Sequence, residues 1–160
     1  DRIKKGTLQA LLMMLVIAGI SITAGLLLSI DGTYLKIFLS ADKITEETAR
    51  FGNHYLYIDL MLYVFLGFIF VMRNCVQGIG RPQFILEAGA AELVARVAVC
   101  LLLPAAFAGG EVSTAAPLSA YHALCFADPS AWIAADLVLA VPFFKNIMKM
   151  DYAYFYRSRR

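Results

Sequence analysis

Residues 84–103 read FILEAGAAELVARVAVCLLL, an apolar stretch long enough to cross a bilayer that also contains Glu87, Glu92 and Arg96. A helix entering the membrane at Phe84 with a rise of ~1.5 Å per residue places Glu92 roughly 12 Å and Arg96 roughly 18 Å deep, on either side of the centre of a ~30 Å hydrocarbon layer. Each charge costs about 2.5–3.5 kcal/mol there, and about ten large apolar residues offset roughly 0.3–0.6 kcal/mol each. The balance is near zero, so this helix needs protein neighbours or a wet cavity, as in a transporter or channel.

The overall composition is that of a membrane protein. The chain is 61% hydrophobic and only 16% charged, with a mean hydropathy of +0.71. Its net charge of +2 is too small to indicate a nucleic-acid partner, and it contains no Gly-rich phosphate loop, HExxH or CxxC motif. His54 and His122 are single and peripheral, and no loop gathers catalytic residues. We therefore expect an all-α integral membrane protein without a separate soluble domain, enzymatic activity or a metal site.

Four apolar segments are predicted to cross the membrane, at residues 8–30, 55–72, 84–103 and 130–147. The second is interrupted by Asp59, and the fourth is the least apolar because it contains Asp136. Asp128-Pro129 predicts an N-cap followed by a proline at the first helical position of the fourth helix. Small residues four apart in the first segment predict close packing by another helix: Gly19 with Thr23, and Ser21 with Gly25.

The distribution of basic residues predicts the orientation. If four helices alternate, the start of the chain, the 73–83 loop and the tail lie on one side and together hold ten Lys and Arg residues. The opposite side, residues 31–54 and 104–130, holds three against six acids. The excess of positive charge on cytoplasmic loops then places both termini in the cytoplasm. The opening residues DRIKK read as a loop between helices, so we expect a fragment of a longer protein.

The run MRNCVQGIGRPQFILEAGAAELVARV, residues 72–97, resembles the multidrug and toxic compound extrusion (MATE) family. The carboxy-terminal half of its members often reads R-x-x-x-Q-G-x-G-R in a cytoplasmic loop and then E-L-x-x-R in a helix. The matching positions are Arg73, Gln77, Gly78, Gly80 and Arg81, then Glu92, Leu93 and Arg96. Residues 128–133, DPSAWI, resemble the x-P-x-x-W that opens the family's last helix. Residues 111–120 lengthen the usual outer loop. Some sodium-coupled members carry an acid in the tenth helix, and that position falls near Leu62 rather than at Asp59.

The resemblance implies that residues 1–160 form the carboxy-terminal portion of the second lobe, the last four of twelve helices in a two-lobe transporter. It implies a bacterial plasma-membrane protein that exports small organic, often cationic, drugs and xenobiotics by antiport with H⁺ or Na⁺ and no other cofactor. Its partners would be the lipid bilayer, the remaining eight helices and the substrates. Two alternatives stay open: a related flippase for lipid-linked oligosaccharides or polysaccharides, and a truncated membrane scaffold that does not transport.

Four residues inside the predicted spans are candidates for ion coupling or for lining a cavity: Asp59, Glu92, Arg96 and Asp136. Glu92 and Arg96 are four apart and share a helix face, so they either line the cavity or form a permanent structural pair. Asp59 and Asp136 either exchange a proton or cation in a partly wet pocket, or are interfacial or hydrogen-bonded carboxylates. The loop motif is predicted to be structural, with glycines that permit positive φ, and Glu87 is predicted to pair with a loop arginine.

Overall fold

The structure is a computed structural model that describes residues 2–40, 44–107 and 118–148. Within these residues the protein is all-helical, and four helical stretches are long and apolar enough to cross a membrane, as in a multi-pass membrane protein. The predicted loop insertion at 111–120 and the basic tail beyond residue 148 lie almost entirely outside the described residues. The helices are α1 (Arg2–Ser29), α2 (Leu35–Phe38), α3 (Glu46–Gly78), α4 (Gln83–Phe107), α5 (Leu118–Leu124) and α6 (Ala127–Phe143).

Helix α3 extends beyond the predicted span 55–72 at both ends. Its start is fixed by Thr45, whose hydroxyl accepts a hydrogen bond from the backbone N–H of Thr48 at 3.1 Å. Glu46 and Glu47 follow in the first turn, where negative charge is favourable. At its other end the helix continues to Gly78, so Arg73 is a helical residue and the prediction that it lies in the loop was wrong.

The start of α6 also differs from the prediction. Phe126 occupies the N-cap position, and its carbonyl accepts the first helical hydrogen bond from Ser130 N–H at 3.0 Å. Asp128 and Pro129 are therefore the second and third helical residues, and the prediction of an Asp128 cap was wrong. The reason is that α5 leads into α6 through two residues only, so the helix begins before Asp128 and leaves its carboxylate free for other helices.

Helix α6 is the centre of the bundle because it packs against both α3 and α4, while α1 packs against α3. Pro142 lies inside α6, and the chain continues as a π-helical turn over Phe144–Met148. The hydrophobic core is formed where α3, α4 and α6 meet, and α6 contributes four of its nine buried side chains: Ile69, Met72, Val76, Ala88, Trp132, Ala135, Leu139, Phe143 and Ile147. Most large apolar side chains of α1 and α4 point outward, as expected where lipid or further helices cover them.

Helix α1 approaches α3 closely at Gly25. A Cβ atom at this position would lie 2.8 Å from both terminal methyl carbons of Leu60. One turn later, the Ser29 hydroxyl donates a hydrogen bond to the Tyr57 hydroxyl oxygen at 3.3 Å. Gly19, in contrast, is exposed and a Cβ there would meet no atom within 4 Å. Of the two small-residue pairs in α1, the one containing Gly25 makes the close approach.

Candidate functional site

A chain of polar contacts joins α3, α4 and α6. Glu92 on α4 accepts a hydrogen bond from Arg73 on α3, with 2.6 Å between Oε2 and Nη2. Arg96, one turn after Glu92, has its Nε 2.9 Å from Oδ1 of Asp128 on α6. Asp128 Oδ2 in turn accepts a hydrogen bond of 2.6 Å from the Tyr55 hydroxyl on α3. We call these five residues the charge cluster.

The sequence predicted a pair between Glu92 and Arg96, and the structure shows this contact as the weakest in the cluster. The distance from Arg96 Nη2 to Glu92 Oε1 is 3.6 Å, longer than the contact each residue makes with another helix. Glu92 is closer to Arg73, and Arg96 is closer to Asp128. The charges of α4 are therefore compensated mainly by α3 and α6. Glu87 forms no ion pair with Arg73 or Arg81 among the described residues, so the prediction that it pairs with a loop arginine was wrong.

The charge cluster extends along α3 over a distance close to the thickness of a bilayer. Tyr55 and Arg73 are roughly 27 Å apart along α3 at ~1.5 Å per residue, close to the ~30 Å thickness of the hydrocarbon layer. The side chains of Glu92, Arg96 and Asp128 fill the interval and keep 22%, 41% and 31% of their surface exposed. The charged side chains of the cluster are therefore only partly buried.

Asp59 and Asp136 lie beside the cluster, and neither forms an ion pair among the described residues. Both carboxylate oxygens of Asp136 and one of Asp59 are buried, and none has a hydrogen-bond partner among the described residues. Arg73 and Glu92 compensate each other, as do Arg96 and Asp128. If every acid were ionised, the cluster with these two aspartates would carry four negative charges against two positive ones. Two carboxylates would then be buried without a compensating cation.

Tyr55 and Asp128 were not among the sequence-predicted site residues, and Arg73 was named only as a structural residue of the loop motif. Arg73 was assigned to the loop, and Asp128 was assigned to a cap. The signal that could have found Asp128 is its position just before a buried Pro-x-x-Trp segment, where a carboxylate at a helix start faces neighbouring helices. Tyr55 carries no comparable signal, because tyrosines are common at the ends of membrane spans.

The loop motif forms the turn between α3 and α4. Gly80 has φ of 77°, as the predicted need for a positive φ anticipated, and its N–H donates to the Gln77 carbonyl at 2.9 Å. The Arg81 N–H donates to the Val76 carbonyl at 3.3 Å. These are the two hydrogen bonds of a Schellman motif, which satisfies carbonyl groups at the end of a helix. The turn fixes the angle at which α4 returns along the bundle, and thereby the position of Glu92.

The two histidines, treated as separate in the sequence, lie together in the structure. The rings of His54 on α3 and His122 on α5 stack with their centroids 3.9 Å apart and an angle of 14° between their planes. In stacked rings the nitrogens lie in parallel planes, so the nitrogens of the two histidines do not point at one common ion. Within residues 2–40, 44–107 and 118–148 no group of three or more His, Cys, Asp or Glu side chains is arranged to hold a metal.

Comparisons with protein-family models, with curated proteins and with solved structures find no match to this chain. The functional interpretation therefore depends on the residues and geometry of the charge cluster, together with the two aspartates beside it.

Proposed function

We propose that this chain is the carboxy-terminal part of a MATE-like secondary transporter that exports organic, often cationic, compounds in exchange for inward H⁺ or Na⁺. The observation that carries the proposal is the excess of negative charge around the cluster. Asp59 and Asp136 contribute buried carboxylate oxygens for which the described residues offer no partner. The protein would be a multi-pass protein of a bacterial plasma membrane with both termini in the cytoplasm.

The physical argument starts from the cost of an uncompensated charge away from water. An ionised carboxylate buried without a partner is expensive, so it binds a proton or a cation or is contacted by water. In a protein that alternates between two open states, such a carboxylate binds its ion on one side and releases it on the other. Coupling requires only that the two states differ in affinity for that ion.

The same charge excess favours a cationic substrate. An organic cation and a coupling ion both neutralise the negative charge near the cluster, so occupancy by one weakens binding of the other. Mutual exclusion of this kind is the basis of antiport. A flippase for anionic lipid-linked saccharides would be expected to present more basic than acidic groups, and Arg73 and Arg96 are outnumbered here by carboxylates.

The test is export of a fluorescent organic cation by the protein expressed from its full reading frame in a host lacking its own efflux pumps. We expect export driven by an inward H⁺ or Na⁺ gradient, and loss of export on Asp136→Asn or Asp59→Asn while folded protein remains in the membrane. Glu87→Gln is the matched control, because Glu87 is an exposed acid on α4 outside the cluster. Absence of cation export under either gradient would favour a scaffold, and export lost equally in the Glu87 variant would remove the special role of the two aspartates.

A further inference from the structure

Arg73 on α3 contacts Glu92 of α4, and its charge also acts on Asp136 of α6. Its Nη2 donates to Glu92 on α4, whereas its Nε is buried and has no hydrogen-bond partner among the described residues. On α6, both oxygens of Asp136 are buried and equally without a partner, and the charge of Arg73 acts on this carboxyl group. A free donor and a free acceptor of complementary chemistry therefore belong to facing helices.

We propose that Asp136 binds one exchangeable positive charge, a proton or Na⁺, and that Arg73 changes its partner from Glu92 to Asp136 when that charge leaves. The inference rests on the proposed transport function, for which it selects the coupling residue. In the observed arrangement Asp136 would be occupied, and Arg73 is paired with Glu92. Once Asp136 is ionised and empty, its nearest source of compensation is the guanidinium group of Arg73.

Asp136 is selected over Asp59 because the charges and hydrogen-bond partners around the two carboxylates differ. Asp59 lies one turn after Tyr55 and experiences the negative charge of Asp128, which Arg96 already compensates. Only one carboxylate oxygen of Asp59 is buried without a hydrogen-bond partner among the described residues, whereas both oxygens of Asp136 are. The charge of Arg73 on α3 acts on Asp136, and Arg73 is itself paired with Glu92 of α4. Along the chain, the nearest charged residues on either side of Asp136 are Asp128, two turns earlier, and Lys145, more than two turns later.

The guanidinium group is suited to such a change of partner. It is planar, remains charged and has five N–H donors, so it can leave one carboxylate for another by a small rotation of a long side chain. The exchange would replace a contact between α3 and α4 by one between α3 and α6. Ion release at Asp136 would thereby alter which helices are tied together, as an alternating transporter requires.

Infrared spectroscopy of the protein in lipid nanodiscs tests the proposal, because it detects a protonated carboxyl group without substrate or gradient. In an Asp59→Asn background, which removes the other buried carboxylate beside the cluster, we expect the C=O stretching band of a protonated carboxyl that disappears as pH rises in Na⁺-free buffer and is absent when Asp136→Asn is added. Addition of NaCl at constant pH distinguishes the two ions: loss of the band indicates Na⁺ replacing the proton, and persistence indicates a proton site. Asp128→Asn, which alters a paired aspartate, should leave the band in place.

The partner change is tested with Asp136 intact. Glu92→Gln frees Arg73 for Asp136, so the midpoint of the band should move down by about one pH unit, a tenfold change in proton affinity. The double variant Arg73→Gln/Glu92→Gln should have a higher midpoint than Glu92→Gln alone, because the cation that would stabilise ionised Asp136 is then missing. A band that survives when Asp136→Asn is added to Asp59→Asn, or a midpoint unchanged by Glu92→Gln, would overturn the inference. A protein that shows the band and both shifts but exports no cation would retain the inference about Asp136 and lose the transport function.

Discussion

Arg73 on α3 and Glu92 on α4 are joined by an ion pair with 2.6 Å between Nη2 and Oε2, although their helices are held together mainly by packing on α6. Two long side chains thus link helices whose backbones contact each other little. The side chains are 30% and 22% exposed, so solvent screens the pair only in part. This link, and the parallel one between Arg96 and Asp128, gives the bundle polar contacts that can be broken without separating its apolar core.

The Arg73–Glu92 pair should show energetic coupling. We expect Arg73→Gln and Glu92→Gln each to lower the free energy of unfolding by about 1–2 kcal/mol, a value reduced from that of a fully buried pair because of the partial exposure. The double variant should lose less than the sum of the single losses. Denaturant unfolding in detergent micelles measures the cycle, with Glu87→Gln as the unpaired control. Strictly additive losses would mean that the two side chains do not interact.

The Tyr55 hydroxyl should stabilise the N-terminal end of α6 through Asp128. Tyr55→Phe removes a donor from a charged acceptor at 2.6 Å and should cost about 1 kcal/mol, because the tyrosine is partly exposed. When Tyr55→Phe is made in the Asp128→Asn variant, it should lower the free energy of unfolding by less. Tyr63→Phe, at a position on the same helix with no hydrogen bond among the described residues, serves as the control. Equal losses at the two tyrosines would argue against the bond to Asp128.

Close packing at Gly25 should make α1 sensitive to size at that position. Gly25→Val places methyl groups where the Leu60 side chain already lies and should destabilise the protein by about 1–3 kcal/mol. Gly19→Val is the matched control on the same helix, since no atom lies within 4 Å of the added Cβ there. Thermal unfolding in micelles compares the two. A similar loss for both variants would indicate a general helix effect rather than contact between α1 and α3.

The turn between α3 and α4 should be sensitive to a Cβ atom at Gly80 and not at Gly78. Gly80→Ala forces an L-residue to a φ of 77° and should cost about 1 kcal/mol. Gly78 is the last helical residue with open space around it, so Gly78→Ala should be neutral or stabilising by up to about 1 kcal/mol. Unfolding measurements on both variants separate the backbone strain expected at Gly80 from the effect of replacing a flexible glycine by alanine, which both variants share. The prediction fails if Gly80→Ala is as stable as the parent protein.

Part of the candidate site could be predicted from the sequence because charge is rare and costly in an apolar helix. Glu92, Arg96, Asp59 and Asp136 stood out for that reason alone, and they lie in or beside the polar contacts between α3, α4 and α6. Their partners could not be predicted, because the choice among several arginines and acids depends on which helices are neighbours. Periodicity within a single helix shows only the pair four residues apart, which is the longest contact of the cluster.

The sequence by itself determined that the described protein is all-helical, with four stretches long and apolar enough to cross a membrane. In long uncharged runs of this kind, a helix pairs the backbone N–H and C=O groups within the segment itself. The sequence also indicated that the glycines of the loop motif permit a positive φ, which Gly80 adopts and Gly78 does not. The tertiary structure decided that α6 lies between α3 and α4, that Arg73 belongs to a helix, and that Asp128 binds Tyr55 and Arg96. These outcomes depend on the packing of side chains far apart in the chain, which sets the distances over which charges can pair.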